Sequence, residues 1–528
     1  MRRRLLTICT VLVGAALVAA PGSDRAPEPS RAESGERRAD VAPAKRTIAK
    51  VQPRRQRYSP PPEAIRAARD DARRLPAGMV REATRYLTSY NVPLAMRGIL
   101  DSSLRYRNNS ISKRSELVAP RLVCPDLYAV IVHDYGWDPR TWEKLADVDP
   151  YFHVQVVTEE VVVRKGDKGQ QVREKRTVRK GLPAPRLPQA EYAELQLLVV
   201  SAAPIVRADW WFVQASRQLS LNDQQTGVGY YDWLQLKDRA AFEDLIGLDA
   251  KGSIRRGRDM RFAIDRSGVS AHNRQGERLQ AVTGARWMTL DTDSNIDVAN
   301  AVRLLARGDY RHKAEEHFGA LPCGLWGFFL CQADGTRQNS APDFIGGDTS
   351  PLRAGNDIRI HIGIACERCH VSGLQQVDCW ARRTLRAPNR LQSPIYDVLL
   401  TLRTQYMSDL PDQIEEDNRL FRKALKRCNG LTPEQNAKAV ADLWNWYALR
   451  PRGPEDIAIE LGVPTGEFLR ALQCESDAKR GGSGIVDHAL AGLLKTPPDP
   501  IRVEYLEEVY PLLQELLHKH RVRWPWEA

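Results

Sequence analysis

Apolar and polar positions change their period several times along the chain, and each change marks an element. From 62 to 109, Ala, Leu, Met and Arg recur at helical spacing with few breakers. A polar connector at 110–120 leads to a strand-like apolar run at 122–133, a turn at 134–139 and a short helix at 140–146 bearing Trp142. Residues 154–163 and 171–178 alternate on either side of a charged tip, which predicts a β-hairpin. The 191–203 run fits strand or helix. Paired aromatics follow at Trp210, Trp211, Tyr230 and Tyr231, and such pairs belong to cores more often than to cofactor walls. Strands are expected at 284–292 and 321–332, short helices at 240–248 and 311–318, and a polar cluster at 262–278. Beyond 394 the pattern is helical only: 395–406, 411–427, 432–449, an αα-hairpin at 454–472, and 503–520.

The pattern predicts an α+β fold. A mixed domain (63–350) precedes a mostly helical segment (351–430) and a helical C-terminal region (431–528). The 454–472 hairpin has the spacing of a DNA-binding helix-turn-helix, but its second helix offers only Arg470 as a basic residue.

The N-terminus changes the picture. Met1-Arg2-Arg3-Arg4 precedes an apolar run, Leu5 to Ala20, that ends in small residues, the form of a secretory signal (1–20). The run is shorter than the ~20 residues a membrane span needs, and no later run is longer, so no integral span is expected in the mature chain. Residues 21–62, rich in Pro, Ala, Arg and Glu, read as a disordered linker. Export to the periplasm or cell envelope argues against nucleic acid as the target of a chain with net charge +12 and suits an acidic partner protein.

Candidate chemistry lies at Cys366-Glu367-Arg368-Cys369-His370, the one C-x-x-C-H in the chain. That spacing attaches a c-type haem. On a helix the three residues share a face. Cys366 and Cys369 would bond the haem vinyl groups, and His370 would offer a nitrogen to the iron. A redox dithiol or half of a zinc site are the competing readings; the first expects a strand before the helix, and the second needs another ligand pair. Met407 stands at a helix end, at a spacing suited to a distal iron ligand, though methionine there is commonly core filling. His361, His272 and His133 are outside candidates. Cys323 and Cys331 are near enough in sequence to be bridged, if geometry allows.

The chain resembles a family of large secreted bacterial cytochrome c domain-containing proteins. The resemblance is carried by residues 267–270 (Ser-Gly-Val-Ser), Asn273-Arg274, Glu277-Arg278, Leu321-Pro322, Gly324-Leu325, Ala341-Pro342 and the C-x-x-C-H-x-x-Gly of 366–373, in that order. Upstream, 134–137, Pro150-Tyr151 and Tyr230-Tyr231 are similar too. It spans roughly 86–472 and departs at Cys323, where the family usually has Asn. It implies one covalently bound haem c in a cytochrome c-like segment and names no substrate. The expected role is one-electron transfer with an unknown redox partner. The alternatives are a haem-dependent peroxidase or dehydrogenase with its pocket in the N-terminal domain, and a haem-free interaction protein with a Cys366–Cys369 disulfide.

Overall fold

The structure is a computed structural model. It describes residues 62–522 apart from 152–154, 166–170, 181–188, 221–226, 265–271, 348–358, 380–405, 407–408 and 479–485 and the single positions 147, 258, 297 and 378. The signal, the linker and Met407 lie outside the described residues. No helix among the described residues is long and apolar enough to cross a membrane.

The fold is α+β, as expected. The first part of the chain forms helix α1 (Pro62–Arg74) and then, inside the stretch expected to be all helix, strand β1 (Thr84–Thr88). Helix α2 (Arg97–Ser110) follows, then β2 (Arg121–Cys124) and β3 (Leu127–Ile131). The hairpin forms as β4 (Gln155–Lys165) and β5 (Gln171–Lys180). Strand β6 (Ile205–Arg207) completes a four-stranded sheet in the order β2-β3-β1-β6 and leads into helix α3 (Ala208–Gln214). Trp211 of α3 stacks on Trp142 at 4.7 Å and meets Trp233 edge-on at 4.9 Å, so the tandem aromatics are core.

A ribbon of β7 (Gln218–Ser220) and β8 (Gly227–Gly229) and helix α4 (Arg239–Leu245) precede the second sheet. This sheet is antiparallel throughout: β9 (Asp259–Ile264), β10 (Arg274–Gln280), β11 (Ala285–Asp291), β12 (Ala314–Ala320) and β13 (Trp326–Gln332), in sequence order across the sheet. Two of these corrected the pattern reading. The polar 273–278 cluster is strand β10, and the expected 311–318 helix is strand β12.

Both faces of this sheet are covered. Along β12, Glu316 and Phe318 point to one face with their neighbours Leu330 and Phe328, and Glu315, His317 and Gly319 point to the other with Cys331 and Phe329. Helix α4 covers the second face: Phe242 stacks on Phe329 at 5.7 Å and meets His317 at 6.0 Å. The first face receives α5 (Ile364–His370), the helix of the C-x-x-C-H motif, and α6 (Leu410–Asn429). Asp417 of α6 accepts from Arg278 (2.8 and 2.9 Å) and from Trp287 Nε1 (2.8 Å).

Helices α7 (Pro433–Trp444), α8 (Pro454–Leu461), α9 (Thr465–Ala478) and α10 (Val503–Lys519) complete the chain. The expected αα-hairpin is α8–α9. It is tied to the first sheet by a buried ion network: Arg207 donates to Glu460 and to Asp209 (both 2.8 Å), and Arg452 donates to Glu460 (2.8 Å). One hydrophobic core runs from Ile65 to Val522 and joins both larger sheets to the C-terminal helices.

Candidate functional site

The motif helix begins at Gly363, which has φ 80° and ψ −78°. A side chain there would meet Ser216 O at 2.3 Å and the Tyr230 ring at 2.9 Å. Only glycine adopts this conformation in that space, so the start of α5 is pinned to the core. Gly363→Ala is expected to lower stability by about 2–3 kcal/mol through strain and overpacking, read as a lower urea midpoint; an unchanged midpoint would mean that this entry angle is not enforced.

Within α5, Cys366, Glu367 and His370 are buried and Cys369 is half-buried. Glu367 forms a buried bidentate pair with Arg107 of α2, at 2.7 and 2.6 Å. Arg107 also donates to Phe212 O (2.8 Å). The motif is thus bolted to the N-terminal part of the chain by a residue 260 positions away.

Past the helix, Gly373 has φ 115°, and a side chain there would meet Asn418 Oδ1 at 2.5 Å. The Asn418 side chain takes both backbone groups of Leu374, at 2.7 and 2.8 Å. This clamp fixes Gly373, whose carbonyl lies 3.2 Å from His370 Nδ1. A carbonyl only accepts, so Nδ1 carries the proton and Nε2 of the neutral ring keeps its lone pair. Nε2 is buried and has no hydrogen-bond partner. Burial pushes the imidazole down to about 4, against the Gly373 hydrogen bond, so the ring stays neutral. Phe318 packs edge-on against it at 4.5 Å, with Phe328 at 6.2 Å.

This pattern fits an iron-ligating histidine, in which the far ring nitrogen donates to a backbone carbonyl and the near one is free to bind. Cys366 and Cys369 are not joined by a disulfide and are spaced i and i+3 with His370 at i+4, so all three share one face of α5. They would hold the porphyrin covalently.

The dithiol reading fares worse. A redox-active cysteine needs a lowered pKa and access. Burial pushes the Cys366 thiol well above its ordinary value, and the nearby Glu316 and Cys369 push the same way. Among the described residues, isolated bridges at His361 and Gly363 rather than a strand lead into α5, and the adjoining sheet is antiparallel.

The other expected residues are placed as follows. Cys323 and Cys331 are not bridged. Cys323 sits in the β12–β13 turn with its thiol toward Asn109 O (3.4 Å), while Cys331 lies near the far end of β13 beside Glu315 (3.3 Å). The five residue steps from Trp326 to Cys331 span about 16 Å, well beyond disulfide reach. His361 bridges to Ser340 just before the motif. His272 lies near Asp291, and His133 is in a short turn after β3.

Sequence reasoning missed the supports of the motif: Arg107, Asn418, Phe318 and the buried row Arg274–Asp291–Glu316 beside Cys366. In that row Arg274 lies 2.8 Å from Asp291 and 3.5 Å from Glu316. Arg274, Glu277 and Arg278, which carry part of the resemblance, all sit on β10 with buried partners of opposite charge, Asp291, Arg286 and Asp417. No protein-family model, curated protein or solved structure matches the chain.

Proposed function

We propose that this chain is an exported monohaem c-type cytochrome-like protein that passes single electrons within the cell envelope. The observation that carries the reading is His370: its Nδ1 is committed to Gly373 O, and its Nε2 is buried and unpartnered on the helix that bears Cys366 and Cys369. Haem, once attached, supplies the one-electron couple. The chain's own part is to present two thiols and one imidazole on a helix held rigid from three sides. Gly363 sets the start, the Arg107–Glu367 pair holds the middle, and Asn418 holds the exit. Phe318 and Phe328 keep water from the imidazole, which favours a low local dielectric and hence control of potential.

Export is proposed from the signal-like segment 1–20, which also delivers the thiols to the compartment where covalent haem attachment takes place. The net charge of +12 suits a redox partner with an acidic docking face.

The test is a haem stain on a denaturing gel with a pyridine haemochrome spectrum, on protein exported together with the haem-attachment machinery. Wild type is expected to carry one covalent haem per chain, and Cys366→Ala/Cys369→Ala none. A wild type without haem despite working maturation would overturn the reading.

A further inference from the structure

The opposite face of the same sheet holds a second constellation that the haem reading does not use. Glu315 and His317 of β12 and Cys331 of β13 are buried side chains on one face, with Glu315 and Cys331 directly paired across the two strands. Their donor atoms form a triangle. His317 Nε2 lies 3.1 Å from Glu315 Oε2, Cys331 Sγ lies 3.3 Å from the same oxygen, and Sγ lies 3.5 Å from Nε2.

We propose that Glu315, His317 and Cys331 form a structural site for a zinc-class divalent ion. Thiolate, imidazole and carboxylate are the three donor types zinc takes, at bond lengths of about 2.0–2.3 Å. Tetrahedral geometry at those lengths places donor atoms about 3.3–3.8 Å apart, and the three observed edges lie at or just under that spacing. The triangle is one face of such a tetrahedron.

Hydrogen bonding alone accounts for it less completely. Cys331 has a single proton and contacts both Oε2 and Nε2, so at most one of its two contacts is satisfied by donation. The other carboxylate oxygen, Oε1, is held by Arg239 Nη1 at 2.7 Å and His312 Nε2 at 3.0 Å. Arg239 also reaches Oε2 at 2.8 Å. These outer partners turn Oε2 toward the imidazole and the thiol, the role that supporting groups play around bound metals. On binding, the Cys331 thiol gives up its proton to solvent and the ion takes its place.

The ligands are buried on paired strands beneath helix α4, so the ion is acquired as the chain folds. The test therefore uses full-length protein isolated from zinc-sufficient culture. Elemental mass spectrometry is expected to find one zinc per chain, with iron counted separately, and zinc-edge X-ray absorption to find one sulfur bound to it. Cys331→Ser is expected to lower zinc content about tenfold or more, and Cys366→Ala/Cys369→Ala to leave it unchanged. Wild type lacking zinc, zinc with no sulfur neighbour, or zinc lost with the motif cysteines would each overturn the proposal. If Cys331→Ser fails to fold, the absorption spectrum of the wild type decides alone.

Discussion

Glu367→Ala is expected to lower folding stability by about 3–5 kcal/mol, the cost of leaving one member of a buried ion pair without its partner. The uncompensated group is Arg107, whose side chain is 2% exposed. Its guanidinium lies over the Phe212 ring at 4.7 Å, and its Nε is committed to Phe212 O. It therefore cannot swing out to water when the carboxylate is removed. Replacing both partners by apolar residues of similar length, Arg107→Met with Glu367→Leu, is expected to restore most of the loss, because neither charge is then buried. Urea unfolding of the wild type, the single variant and the double variant measures the difference. A single variant within about 1 kcal/mol of wild type would mean that water reaches Arg107, and that the motif helix is held by packing alone.

Asp149→Asn is expected to flatten a loss of stability with rising pH. Asp149 is 6% exposed. Its Oδ1 accepts from Tyr151 N at 2.8 Å, while Oδ2 is buried without a partner. Burial pushes its carboxyl up to about 8, against the Tyr151 hydrogen bond and the Arg207 charge. The folded chain thus keeps a proton that the unfolded chain releases near pH 4. Where the folded state binds more protons, stability falls as pH rises. The fall runs from about pH 4 to the folded value near 8 and then levels, amounting to at most about 5 kcal/mol. Asparagine keeps the acceptor for Tyr151 and carries no charge. The variant is expected to match wild type near pH 4 and to exceed it by several kcal/mol above about pH 8. Glu507 is also pushed up by burial, but it is common to both proteins and leaves the difference curve intact. Parallel wild-type and variant curves across this range would show that Asp149 ionises in the fold at no cost.

The chemistry was legible where it is local. The C-x-x-C-H spacing is read directly from five consecutive residues, and α5 puts them on a helix as expected. The tandem aromatics and the αα-hairpin were legible because large apolar side chains at fixed spacing leave few alternatives. The β12 strand was not. Its sequence, Ala-Glu-Glu-His-Phe-Gly-Ala, looks helical and half exposed, yet all seven residues are buried. Its two glutamates are neutralised by Arg239 and Arg274, which are far away in sequence. Likewise β10 reads as a polar loop because Arg274, Glu277 and Arg278 find their partners on β11 and α6. A strand covered on both faces loses the alternation by which strands are recognised. When its polar positions are satisfied by distant charges, the hydrophobic pattern has nothing left to report. The supports of the motif were hidden for the same reason: Arg107 and Asn418 become meaningful only once α2 and α6 lie against α5.

His317 and Phe318 are neighbours on one strand, yet one belongs to the thiol–imidazole–carboxylate triangle and the other touches the imidazole of the C-x-x-C-H motif. β12 is therefore a partition one backbone thick, with a different proposed site on each side. Its alignment is set by the tight turn that follows, where Leu321 N donates to Leu325 O at 2.8 Å and Gly324 takes φ 89°. Because strand side chains alternate sides, inserting or deleting a single residue in that turn would turn over the faces of β13 against β12, whose own facing is held by β11. Cys331 would move to the Phe318 side, and Phe328 to the His317 side. The length of this turn is thus a shared constraint on two sites that never touch, and a frame error there is expected to disturb both at once, while substitutions within either site spare the other.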